Sequence, residues 1–152
     1  MENESLGQVT GQEWIRKSIE ITASDDKVWT ILTDPEQVKL WAGAFEPGTQ
    51  VASDWQEGSV VIWKDKDGVP AMKGKVMLSY AGKILKLAYY NDVNAADDAE
   101  LDAYEEHYLL AEHEGKTDLT IESGPLTDEY IKKIAPQWDE ALKIIKQTAE
   151  QQ

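Results

Sequence analysis

Cysteine is absent from the 152 residues, which excludes disulfide staples, cysteine-ligated zinc and thiol catalysis. Bases are scarce: 15 Lys and Arg stand against 29 Asp and Glu, a formal net charge of −14. So acidic a chain, without a basic stripe, is not built for nucleic acid or anionic lipid, both of which require clustered Lys and Arg. No apolar run approaches the roughly 18–20 residues of a membrane span. The start, MENESLGQVTGQEW, lacks the basic segment and apolar stretch of a secretory signal. The expectation is a cytoplasmic protein that inserts into no membrane. Also missing are G-x-S-x-G, Walker A, G-x-G-x-x-G and H-E-x-x-H, the motifs of nucleophilic hydrolysis, phosphate or dinucleotide binding and zinc hydrolysis. Phenylalanine occurs once.

What is present is unevenly placed. From Asn91 to Glu129 there are 13 acids and one Lys, so this segment holds nearly all the excess charge. Against the single Phe stand six Trp and six Tyr. Large rings with polar tips suit a wet cavity better than a dry core, although ordinary core packing is an equal reading of any one ring. At ~100–150 residues per domain the length gives one domain, read as 13–152 behind a tail over 1–12.

Trp14 to Ile21 alternates, with Ile15, Ile19 and Ile21 on one face, and predicts a half-buried strand. Ser24 can cap a helix through Leu32 with Asp25 and Asp26 in its first turn. Asp34-Pro35-Glu36-Gln37 starts a second helix to about Trp41, by cap, fixed φ and capping box. After a loop over Ala42–Gly48, alternation at Val51, Ser53 and Trp55 suggests a short strand, and hairpins follow. Ser59–Lys64 is a strand, and Asp65-Lys66-Asp67-Gly68 is turn chemistry rather than a calcium loop, which needs a later Gly and a following Glu. Met72, Gly74, Val76, Leu78 and Tyr80 share one strand face, with Lys73 and Lys75 opposite. After the Ala81-Gly82 turn, Leu85, Leu87 and Tyr89 face inward, with Lys86 and Tyr90 outside.

Asn91–Asp102 reads as an exposed acidic loop. Tyr104–Glu112 and Thr117–Ser123 form a further hairpin, in which period two puts Tyr104, Glu106 and Tyr108 inside and Glu105, His107 and Leu109 outside. Gly124-Pro125 is expected to end the sheet, and Thr127 to cap a last helix. Ile131, Ile134, Trp138, Leu142, Ile145 and Ala149 form its apolar stripe, which Pro136 should kink or divide. The order is one strand, two short helices, six strands and a long helix. That is an α+β fold of about seven antiparallel strands, whose curved sheet is covered by the last helix and leaves a cavity between them.

This order, with Ile19–Trp29, Leu32–Trp41, Asp54–Ser59, Asp67–Val76 and Gln137–Lys146, resembles the START/SRPBCC superfamily, the helix-grip fold of the birch pollen allergen. Within it the chain looks most like the branch of the C-terminal domain of the activator of heat-shock-protein-90 ATPase. It departs from the pattern at Pro136-Gln137, where a Gly often precedes the Trp, and at Glu106, where an apolar residue is usual. The resemblance implies a cavity able to hold an apolar or amphipathic small molecule, and not by itself an enzyme.

Into that cavity would point Trp63, Met72, Leu78, Tyr80, Leu87 and Tyr89, then Tyr104, Glu106 and Tyr108. Trp138, Leu142 and Ile145 would enter from the helix, with Trp41 and Phe45 near an entrance. The histidines, His107 and His113, read as solvated surface residues, so no metal or cofactor is expected. Glu106 is the sharpest residue: a carboxylate among tyrosines can accept their hydrogen bonds and, if desolvated, act as a proton acceptor. The preferred function is binding of a small hydrophobic or aromatic ligand by a monomer or weak dimer. The alternatives are a co-chaperone-like module with a chaperone or other protein partner, and a cyclase- or hydrolase-like enzyme using Glu106.

Overall fold

Short polar side chains start all three helices. In the computed structural model, which describes residues 13–151, the Ser24 hydroxyl accepts from the Lys27 amide at 3.2 Å and opens α1 (Asp25–Thr33). The Asp34 carboxylate accepts from the Glu36 amide at 2.9 Å and opens α2 (Pro35–Ala42). Thr127 accepts from the Tyr130 amide at 3.1 Å at the head of α3 (Asp128–Gln151). Each cap satisfies an amide that the helix leaves without a partner, worth ~1 kcal/mol. The tail read over 1–12 lies outside the described residues.

The strands are β1 (Glu13–Ile21), β2 (Gln50–Ala52), β3 (Val60–Lys64), β4 (Pro70–Tyr80), β5 (Ile84–Tyr90), β6 (Leu101–His113) and β7 (Lys116–Leu126). They form one curved sheet in the order β1-β7-β6-β5-β4-β3-β2, every neighbour antiparallel. The α+β helix-grip architecture expected from the sequence is the one observed. The core lies between the sheet and the helices: Val28 and Ile31 of α1, Leu85 and Leu87 of β5, Leu119 and Ile121 of β7, and Ala141 and Ile145 of α3 are all at most 2% exposed. Each large aliphatic side chain buried this way contributes about 1.5–3 kcal/mol. Trp41 ties α2 to α1, its indole Nε1 donating to the Ile31 carbonyl at 2.9 Å.

Five local expectations are corrected. In β4, Val76 faces Leu87 but Leu78 faces Lys86, so Met77 is an extra residue and the alternation changes phase. Ser79, not Leu78 or Tyr80, then shares a face with buried Leu85, and Tyr80 is 68% exposed on the outer surface. Gly124-Pro125 does not end the sheet: β7 continues through this cis peptide to Leu126. The β1 register shift between Glu13 and Ile15 falls opposite Pro125, where no amide is available to donate. The short strand β2 stops at Ala52, and Trp55 instead takes a left-handed φ of 61° and donates from Nε1 to the Thr33 carbonyl at 2.8 Å. Pro136 lies inside one 24-residue helix, which it does not divide. Finally β6 begins at Leu101, and the acidic loop before it folds back over the outer face. Lys73 Nζ donates to Asp97 and to the Ala95 carbonyl, both at 2.6 Å, and Tyr90 donates to the Asp97 carbonyl. Lys73 and Tyr90, both expected outside, are therefore buried.

Gly74 sits directly opposite Tyr89. A Cβ there would lie 2.8 Å from the Ala88 carbonyl oxygen and 2.9 Å from the Tyr89 ring. Gly74→Ala is expected to destabilise the fold by about 1–3 kcal/mol through this overpacking. An unchanged denaturant midpoint would show that the strands separate freely at this point.

Candidate functional site

The inner face of the sheet carries a carboxylate. Period-two alternation along β6 places Tyr104, Glu106 and Tyr108 on that face; Glu106 lies opposite Leu87 of β5 and Ser123 of β7. Tyr89, near the end of β5, completes the group. Glu106 Oε1 accepts from Tyr89 at 2.8 Å and from Tyr108 at 3.4 Å, and Oε2 accepts from Tyr104 at 2.7 Å. A phenol has one proton. With that proton on Glu106, Tyr104 accepts from Ser123 at 2.7 Å, and Tyr89 accepts from Trp63 Nε1 at 3.0 Å.

Burial pushes Glu106 above its ordinary value, and the three phenol hydrogen bonds hold it down in part. The same burial, reinforced by the Glu106 charge, raises Tyr89, Tyr104 and Tyr108 well above 10. The phenols therefore stay protonated at neutral pH and remain donors.

These residues floor a cleft of about 390 Å³ between sheet, α2 and α3. Its apolar wall is a set of packed rings: Trp138 meets Phe45 edge-on at 4.8 Å, Tyr108 edge-on at 6.0 Å and Trp41 stacked at 6.5 Å. Trp138 Nε1 is buried with no hydrogen-bond partner among the described residues. The rim is charged, with Glu46, Lys64, Asp65 and Lys133.

The candidates read from the sequence divide three ways. Trp41, Phe45, Trp63, Met72 and Tyr89 line the cleft, together with Tyr104, Glu106, Tyr108 and Trp138. Leu87, Leu142 and Ile145 are buried in the core and do not line it. Leu78 and Tyr80 are turned to the outer face by the Met77 bulge. Sequence reasoning missed Tyr130, Ile134 and Gln137, which line the cleft with Trp138. Their spacing on α3 puts them on one helix face, and that spacing is a signal the sequence carries. The rim charges carry no such signal, because they come from the end of β3, a turn, a loop and the solvent side of α3.

Both histidines are engaged. His107 faces outward, as expected, but its side chain is only 12% exposed. It lies between Glu105 at 2.7 Å and Glu122 at 3.0 Å, against the Trp14 ring at 5.3 Å, and so is not a solvated surface residue. His113 pairs with Asp118 at 3.0 Å, and with Glu20 they bring donor atoms within 4.8 Å of one another at the protein surface.

Residues 22–150 match the family model described as activator of Hsp90 ATPase homolog 1-like protein. No curated protein matches. Solved structures share the fold. The Aha1 dimer of Colwellia psychrerythraea superposes with a TM-score of 0.71 at 18% identity, over 91% of this chain and 96% of that one. ChR145 of Cytophaga hutchinsonii does so with a TM-score of 0.71 at 22% identity, over 94% and 97%. CalU16 of Micromonospora echinospora gives 0.63 at 17%, over 91% and 84%. Among the described residues no helix is long and apolar enough to cross a membrane.

The raised Glu106 ties stability to pH. A carboxyl that binds its proton more tightly in the native than in the unfolded chain favours folding at low pH. That contribution is lost as pH rises from 4.5 through the raised value. Glu106→Gln is therefore expected to melt above the parent at about pH 8, with the two curves converging toward about pH 4. A melting difference that does not change with pH would refute the assignment.

Proposed function

The chain belongs to the activator of Hsp90 ATPase homolog 1-like family, and we propose that it binds a small hydrophobic or aromatic molecule in the cleft between the sheet and α3. The observation that carries this reading is a ring-walled cleft of about 390 Å³ with a hydrogen-bonded polar cluster, Glu106 and its three tyrosines, in its floor. Ligand pockets have this make-up: mostly apolar walls, a few fixed polar groups and a volume of roughly 300–1,000 Å³. The rings supply area, and the tyrosine-held carboxylate fixes orientation. We read residues 13–152 as one domain that does this in the cytoplasm, as a monomer or weak dimer, without a cofactor and with no catalytic residue assigned.

A second reading is a protein-interaction module, after the activator for which the family is named. Met77 and Tyr80, 46% and 68% exposed at the end of β4, favour it. Large apolar side chains held in solvent suit a protein partner.

Thermal shift and NMR against fatty acids, flavonoids and aromatic polyketides separate the two. Binding in the cleft raises the melting temperature and moves the indole resonances of Trp63 and Trp138. Met72 lines the cleft and is 39% exposed, so it stands at the opening. Met72→Trp narrows that opening and is expected to lower affinity about tenfold, while stability changes by no more than about 0.5 kcal/mol. If no compound moves those indoles, or Met72→Trp binds as the parent does, the cleft is not the site.

A further inference from the structure

We propose that the cleft selects molecules whose buried end is a protonated amine on an aromatic or apolar body, with Glu106 as the counter-ion. This rests on the cleft being a ligand site and names the class of ligand it takes.

The first ground is charge. Glu106 faces the cleft, and among the described residues it makes no salt bridge with Lys, Arg or His. Its polar partners are the neutral phenols of Tyr89, Tyr104 and Tyr108. His107, next along the strand, points to the other face and is held by Glu105 and Glu122. A desolvated carboxylate with neutral partners alone is costly, and an arriving cation removes that cost. Burial raises its proton affinity, as expected of a charge awaiting a partner.

The second ground is the balance of donors and acceptors. Each carboxylate oxygen offers two acceptor sites. Oε1 is filled by Tyr89 and Tyr108, whereas Oε2 holds Tyr104 alone, which leaves one site open. The donors of the floor are spent: three phenol protons on Glu106 and the Trp63 indole on Tyr89. A ligand carboxylate or phosphate would find no free donor in the floor and would face a like charge. Trp138 Nε1 is buried and neutral and cannot offset an anion, and the cations that line the cleft, Lys64 and Lys133, stand at its rim beside Glu46 and Asp65. An ammonium group brings donors to the open acceptor, and the tyrosine and tryptophan rings around it add cation–π attraction.

The third ground is the field. The rim is balanced, with Lys64 and Lys133 against Glu46 and Asp65. The whole chain, at −14, concentrates cations and repels anions.

A matched set on one body tests this: 2-(1-naphthyl)ethylamine, 2-(1-naphthyl)ethanol and 1-naphthylacetate, titrated against the whole chain at neutral pH with NMR and calorimetry. The amine is expected to bind about tenfold or more tightly than the alcohol, and the carboxylate more weakly than either. Glu106→Gln should remove the amine's advantage, bringing amine and alcohol to similar affinity. Equal binding of all three, or a preference for the alcohol or carboxylate, overturns the amine assignment and leaves the cleft a hydrophobic ligand site. Failure of all three, with a negative screen of lipids and polyketides, overturns the site itself. The parent protein decides between these outcomes even if the Gln variant does not fold.

Discussion

A carboxylate set in the concave wall of a sheet must be solvated by something, and in this protein that something is three phenols. Each oxygen of Glu106 is reached by at least one tyrosine hydroxyl, so the group is hydrogen-bonded without being neutralised. Much of the local architecture follows. Gly74 has no Cβ, which lets Tyr89 lie flat against β4. Ser123 on β7 and Trp63 on β3 supply the donors that Tyr104 and Tyr89 need once their own protons are committed. Four strands thus converge on one charge. A polar group this deep is expensive unless every partner is present.

The same constraint explains why the helix covers only part of the sheet. Where the inner face is aliphatic, α3 packs down on it and Ala141, Leu142, Ile145 and Ala149 are buried. Apolar helix side chains laid over Glu106 would shut its charge off from water and leave the open acceptor site on Oε2 unfilled. One turn before that packed stretch, Trp138 instead stacks among rings, and the space between it and Glu106 stays open. Core and cleft are two ends of one interface, divided by where the sheet turns polar.

The acidic segment is structured rather than merely solvated. Asp97 pairs with buried Lys73, Glu105 and Glu122 hold His107, Asp118 holds His113, and Glu112 accepts from the Asp25 amide. Its loop does not stand free in solvent but covers the outer face over Tyr90. Lys73 is the strand residue that this loop covers, and its burial needs the acid that Asp97 supplies.

Helix starts, hairpin turns and strand alternation are legible in the sequence because they depend on neighbours within a few residues: a hydroxyl or carboxylate reaching the next turn's amide, a glycine accepting positive φ, a side chain pointing to alternate faces. That same alternation is enough to place Tyr104, Glu106 and Tyr108 together on one face. It fails where the phase of the pleat changes, at Met77, because a bulge is set by how two strands pair and not by either strand alone. It also fails at Pro125, where the partner strand supplies the irregularity that a missing amide needs. By itself the sequence determined the order of elements, the overall fold and the acidic residue on an inward face. Only the tertiary structure decided that Tyr89 reaches that acid and Trp63 reaches Tyr89, that Leu142 and Ile145 fill the core while Trp138 borders the cleft, and that Tyr80 faces solvent. Those are contacts between strands and helix far apart in the chain, fixed by packing in three dimensions.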